Sequence, residues 1–229
     1  MDEYLKGNFD YWQKGYYAPN VESYVFRMWG QVLQYDFSDK QSSKLKMLDF
    51  GCGQGAALSF FNQLGFDAYG VDISEYDLDI CKKRMGCSEH FKVVNPVPNK
   101  DDDWFDVRGG GWSLVTAFQV LYYYSDDDLQ ERLLSLYNQM KPGAILCATM
   151  MGTKNYFYKH SRPYKNGMRC VTLKNERLSI DNYYVNFIEN EDELIKKFSM
   201  FKKMHIGYYD SCFREDEGSH FHWTYIGRK

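Results

Sequence analysis

No stretch of the 229-residue chain concentrates lysine and arginine, and none stays apolar for long. Lys+Arg 28 against Asp+Glu 31 leaves a net charge of −3, so the basic surface that a duplex nucleic acid demands is missing. The apolar run from Ala144 to Met151 falls far short of the ~20 residues of a membrane span. Met1-Asp2-Glu3 opens with acid and no apolar leader core, which predicts a cytoplasmic protein without a membrane partner. The six cysteines (52, 81, 87, 147, 170, 212) form no CxxC pair, so neither a disulfide framework nor a zinc site is expected. No repeat, low-complexity tract or Pro/Gly/Ser-rich linker divides the chain, and a single domain over 1–229 is expected.

Aromatic residues are plentiful, at 18% with 20 Tyr and 16 Phe. They supply core area, and tyrosine also suits a pocket with an apolar wall and a hydroxyl rim. Short apolar runs at Leu45–Phe50, Phe66–Val71, Phe91–Val94, Trp112–Phe118 and Ala144–Met150 alternate with helical patterns. Those helices run from Ala56 to Leu64, from a Ser74 cap to Met85, and from Ser125 until Lys141-Pro142-Gly143. Asp77 stands three residues after Ser74 as a capping-box partner. The alternation predicts an α/β fold with a parallel sheet and helices on both faces. The last third departs from it. Residues 152–189 read as a β-rich cap insert, and Phe201–Tyr209 with His222–Ile226 read as a closing hairpin. Residues 1–40 form a helical lead, with Val21, Val25, Met28, Trp29 and Val32 on one stripe.

Gly51-Cys52-Gly53-Gln54-Gly55 directly follows the first strand, where glycine permits a tight turn and close approach of a ligand. Asp72 ends the second strand about 20 residues on, where a carboxylate can accept both ribose hydroxyls. Strand, glycine loop, helix, strand and acid together predict a nucleoside site. Asp49, just before the turn, would repel a pyrophosphate but orient an ammonium group. The GxGxG spacing also departs from the GxGxxG of dinucleotide binders, which weighs against a nucleotide-dependent oxidoreductase.

Leu48 to Gly55 resembles the first motif of class I S-adenosylmethionine-dependent methyltransferases, and Gly70-Val71-Asp72-Ile73-Ser74 resembles the second. Trp112 to Leu121 resembles the fourth-strand motif, and Leu136 to Gly143 the approach to the fifth strand. The resemblance implies a Rossmann-like, seven-stranded, mostly parallel sheet with an antiparallel last strand. It implies S-adenosylmethionine as cofactor and S-adenosylhomocysteine as product. Gly51 and Gly53 would lie against the methionine portion, with Asp49 supporting the loop and Cys52 also among the cofactor-binding residues; Asp72 would hold the ribose hydroxyls, and Ile73 would pack on adenine. Phe118 and Gln119 would border the methionine and the methyl acceptor. The adenine amino edge falls to Asn95 or to the acidic turn Asp101–Asp103. Tyr11 and Tyr17 resemble the N-terminal aromatics that close over the cofactor in small-molecule members.

The acceptor is expected to be small. The Asn/Asp-Pro-Pro motif of nucleobase amino methylation, a Pro-Cys nucleophile and paired glutamates after the fourth strand are all lacking. Ligands of open α/β sheets lie beyond the carboxyl ends of the strands, which brings the lead, the insert and the start of the last strand to the site. His220, His222 and His160 are the candidate bases, and Arg27, Arg162, Tyr122 and Tyr123 the candidate acceptor contacts. The reading is O-methylation of a small polar hydroxyl acceptor such as a sugar, sugar nucleotide or phosphorylated glycan precursor. N-methylation and a non-catalytic cofactor-binding protein remain alternatives. A monomer or homodimer is expected.

Overall fold

The computed structural model describes residues 1–12, 20–37, 45–107, 111–174, 179–214, 216 and 218–229. The alternating runs become β1 (Lys46–Phe50), α4 (Ala56–Gln63), β2 (Asp67–Asp72), α5 (Glu75–Met85), β3 (Phe91–Val93), β4 (Trp112–Ala117), α6 (Asp126–Gln139) and β5 (Met140–Met151). The closing hairpin is β9 (Lys202–Tyr209) and β10 (His222–Arg228), after α8 (Glu191–Lys197). The seven-stranded sheet has the order β3-β2-β1-β4-β5-β10-β9. Its first five strands are parallel and β10 is antiparallel to both β5 and β9. This is the Rossmann-like arrangement that the motifs imply.

Alternate strand residues serve opposite faces. Leu48 and Phe50 join a core with Val115, Ala117 and the α6 residues Leu129, Leu133 and Leu136. Met47 joins a second core with Leu58 and Phe61 of α4 and Leu78 of α5. The lead supplies α1 (Glu3–Trp12), α2 (Ser23–Met28), a π-helical turn (Trp29–Leu33) and α3 (Gln34–Phe37). Its predicted stripe covers the second core, with Val25 buried and Val21, Met28, Trp29 and Val32 packed around it.

The insert contains α7 (Tyr156–Lys159) and a separate antiparallel sheet of β6 (Ser161–Pro163), β7 (Met168–Lys174) and β8 (Ser179–Asn186). Caps follow the sequence closely. Ser74 Oγ accepts from the Asp77 amide and Ser125 Oγ from the Asp128 amide. One detail differs: the Asp77 carboxylate accepts from Gln54 Nε2 at 2.9 Å, tying α5 to the glycine loop. Among the described residues, no helix is long and apolar enough to cross a membrane.

Candidate active site

The glycine loop turns because its backbone enters the left-handed region, with φ of +77° at Gly51 and +49° at Gly53. A Cβ on Gly51 would stand 2.6 Å from Val120 Cγ2, which fixes glycine there by close approach. A Cβ on Gly53 would meet no atom within 4 Å. The loop therefore opens at Gly53 onto space that a side chain would fill, as a ligand cradle requires.

Asp72 closes this space from the end of β2. Its Oδ2 accepts from the Gly53 amide at 2.8 Å and its Oδ1 from the Ser74 amide at 2.9 Å. Each oxygen keeps a second lone pair for a hydroxyl donor. Burial raises its pKa to about 6, against the pull of those amides. Asp49 lies deeper and accepts from Thr116 Oγ1 at 2.6 Å. Burial lifts it to about 7, the Thr116 hydroxyl opposes this, and Asp72 adds to it. Cys52 is buried, and that burial pushes its thiol well up. Ile73 packs at the margin of the core on the β2 side. The loop, Asp72 and Ile73 thus lie together and fit a nucleoside with a cationic tail.

The adenine-edge candidates are engaged within the protein. Asn95 Oδ1 accepts from the Val97 amide, and its carbonyl accepts from Arg132. Asp102 pairs with Arg132 and Asp103 accepts from the Val107 amide. Tyr11 packs on Trp12 and Tyr183 of β8, so it lies against the insert. Tyr17 lies outside the described residues.

Beyond the ends of β4 and β5, aromatic rings from four distant segments meet. Tyr24 of α2 stacks on Tyr209 of β9 at 4.1 Å between centroids and 4° between planes. Tyr209 stacks in turn on His222 of β10 at 5.0 Å and 7°. Tyr122 leans on His222 and Phe118 meets Tyr24 edge-on. Gln119, at φ +56°, donates its amide to Thr149 Oγ1 and its side chain to Tyr209 Oη. The antiparallel register sets His222 opposite Met151, the last residue of β5. Burial raises the phenol pKa values of Tyr24 and Tyr209.

His222 is 5% exposed and its Nδ1 lies 2.8 Å from the His220 carbonyl. A carbonyl only accepts, so Nδ1 carries the proton and Nε2 keeps its lone pair. Nε2 is sheltered from solvent and has no hydrogen-bond partner among the described residues. Burial lowers the ring's pKa to about 4. The i, i+2 spacing places both histidines at the strand edge but not in equal roles. His220 precedes β10, is exposed, and contributes its backbone carbonyl.

Of the other candidates, Tyr123 packs edge-on against Tyr122 at 4.5 Å between centroids. His160 and Arg162 line a cleft of about 490 Å³ on the insert with Ser161, Cys170, Thr172, Asp181 and Asn182. Burial and the nearby Lys159 lower the His160 pKa, and its Nε2 lacks a partner among the described residues. Tyr123 donates to or accepts from Tyr183 Oη at 2.7 Å. Arg27 is exposed on α2. Tyr24, Tyr209, Thr116 and Thr149 are missing from the sequence reading. Tyr24 alone had a signal, since it sits beside Val25 on the helical stripe.

A methyltransferase domain family matches residues 21–204. A ubiquinone biosynthesis O-methyltransferase of Pelagibacter ubique (strain HTCC1062) is 34% identical over 129 residues, 53% of this chain and 49% of that protein. A carboxy-S-adenosyl-L-methionine synthase of Shewanella loihica (strain ATCC BAA-1088 / PV-4) is 29% identical over 125 residues, 52% of this chain and 50% of that protein. The chain thus spans about half the length of these curated relatives. The magnesium protoporphyrin IX methyltransferase of Synechocystis PCC 6803 with bound S-adenosylhomocysteine shares the fold, with a TM-score of 0.61, 14% identity and 100% of each chain covered. From the glycine loop, the carboxylate beyond it and a family match over most of its length, the chain belongs to the methyltransferase domain family and has the fold of class I S-adenosylmethionine-dependent methyltransferases.

Proposed function

We propose that the protein transfers a methyl group from S-adenosylmethionine to a hydroxyl of a small polar acceptor, with His222 taking the proton. One observation carries this reading: a buried, neutral imidazole whose tautomer leaves Nε2 free to accept, at the strand edge where Phe118 and Gln119 also end. S-adenosylmethionine, when bound, supplies an electrophilic methyl. The residues that would hold it are Asp49, Gly51, Cys52, Gly53, Asp72 and Ile73. The ring stack excludes water and orients the acceptor, so that its oxygen is held in line and desolvated. A hydroxyl gains from a base at that moment, whereas a neutral amine does not. The Pelagibacter relative is an O-methyltransferase, which agrees with oxygen as the acceptor atom.

The polar body of the acceptor is assigned to the insert cleft, where Arg162, Ser161, Thr172, Asp181 and Asn182 offer donors and acceptors suited to a polyhydroxylated or phosphorylated group. Tyr156 links the cleft to the segment that leads into β10. Its ring packs on His160 and its amide bonds the Ser219 carbonyl, one residue before His220.

The test is His222→Gln, assayed by S-adenosylhomocysteine release across a panel of sugars, sugar nucleotides and phenols. General-base loss is worth ~10²–10⁴ in turnover, with cofactor affinity unchanged. Retained turnover on hydroxyl acceptors would remove His222 from the reaction. Turnover on amines alone would turn the reading to N-methylation, and no turnover with tight cofactor binding would favour the non-catalytic alternative.

A further inference from the structure

Arg132 of α6 is fully buried, yet it is a permanent cation far from the glycine loop in sequence. Its Nη1 meets the Asp102 carboxylate at 2.7 Å and its Nη2 donates to the Asn95 carbonyl at 3.2 Å. The guanidinium lies over the rings of Phe50, Trp104 and Tyr124, at 5.1, 5.3 and 5.5 Å from their centroids. Gln139, seven residues on and so on the same face of α6, donates to the Asp102 carbonyl at 3.0 Å. The two side chains thereby grip one residue, Asp102, by its carboxylate and its backbone. Phe50, stacked on Trp104, immediately precedes Gly51.

A buried ion pair is a poor device for stability, because desolvation offsets its attraction, and its better-attested use is to specify one arrangement. Here the arrangement specified is the path of residues 95–107 beside the end of β1. We propose that Arg132 is a positioning residue for the adenine end of the cofactor, acting through Asp102 and the Asn95 carbonyl. This rests on the assignment of the glycine loop and Asp72 to S-adenosylmethionine. It answers the question left between Asn95 and the acidic turn: Asp102 faces inward as an anchor, and the backbone it anchors forms the adenine edge.

Calorimetric titration of wild type, Arg132→Lys, Arg132→Met and Asp102→Asn with S-adenosylhomocysteine and with S-inosylhomocysteine separates this role from plain destabilisation. The two ligands differ only at the purine edge that the 95–107 segment meets. Wild type is expected to prefer the adenine form. Arg132→Met should weaken S-adenosylhomocysteine by at least tenfold and the inosyl form by much less, so that discrimination collapses. Arg132→Lys should restore part of it, and kcat at saturating cofactor should stay within twofold. Should Arg132→Met fail to fold, Asp102→Asn carries the same comparison with the guanidinium and its Asn95 bond intact. Folded variants with an unchanged ratio, or with both ligands weakened equally, overturn the inference. Wild type that binds neither ligand overturns the cofactor assignment, and this inference falls with it.

Discussion

The two sides of the site, one proposed for the cofactor and one for the acceptor, are built from different materials. The cofactor side is mostly backbone: three left-handed glycines, the amides of Gly53 and Ser74, and one carboxylate that receives both. All of it lies between Asp49 and Ser74, within one β-α-β unit. The acceptor side is mostly side chain. Tyr24, Tyr122, Tyr209 and His222 come from four elements spread over almost the whole chain. A backbone cradle needs particular residues at particular spacings, whereas a wall of rings needs only bulk in the right place. The first can serve one ligand for many enzymes, and the second is free to vary with the acceptor.

The strongest way to break this comparison is to remove the group on which the cofactor side converges. Asp72→Ala deletes the acceptor of two amide bonds along with the ribose contacts proposed for it. Hydrogen bonds to a charged group are worth about 1.5–3 kcal/mol each, so S-adenosylhomocysteine affinity should fall by about 100-fold or more. Calorimetry with S-adenosylhomocysteine and NAD in parallel reads this directly. Affinity that survives Asp72→Ala would mean that the cradle does not hold the ribose.

A smaller change should fall on the acceptor side alone. Tyr24→Leu removes one ring of the Tyr24–Tyr209–His222 stack, and an aromatic pair contributes about 0.5–1.5 kcal/mol beyond its area. The acceptor KM should rise roughly 3- to 10-fold by that measure, while the cofactor Kd moves less than twofold. Equal shifts in both constants would erase the boundary between the two sides.

The same division explains what was legible in the sequence. The alternation of strands and helices, both caps at Ser74 and Ser125, and the closing hairpin follow from local periodicity and short-range hydrogen bonds, whereas the seven-stranded arrangement was legible only through the family resemblance. Gly51, Gly53 and Asp72 are legible for the same reason, because their spacing is their geometry. Tyr209 was hidden, since nothing in Phe201–Tyr209 marks one tyrosine as the partner of Tyr24, 185 positions earlier. His220 and His222 looked equivalent by alternation. The structure separates them because β10 begins only at His222, leaving His220 exposed outside the ladder. Arg132 was not singled out in the sequence, and only the pairing with Asp102 shows its place.

The subtlest separation is in proton linkage, where the two sides act with opposite sign. Asp49 and Asp72 have pKa values raised from 3.8 to about 7 and about 6. Between 3.8 and those values the folded protein binds protons that the unfolded chain has lost, so their contribution to stability declines as pH rises. His222 is lowered from 6.5 to about 4. Between 4 and 6.5 the unfolded chain binds the proton, so this contribution grows as pH rises. Each group is limited to about 1.4 kcal/mol per pH unit, and relaxation makes the measured slope a fraction of that. Urea unfolding from pH 4 to 7 should therefore give two difference curves of opposite tilt. Asp49→Asn, relative to wild type, should gain stability as pH rises, and His222→Gln should lose it. Subtraction cancels the titrations shared with wild type, so the tilt reports the replaced group. A His222→Gln curve that is flat would mean that the imidazole titrates as it does in the unfolded chain, and its place as a buried neutral base would go. Curves that tilt as described make the cofactor side the acid-stabilised half of the site and the acceptor side the half that acid opens.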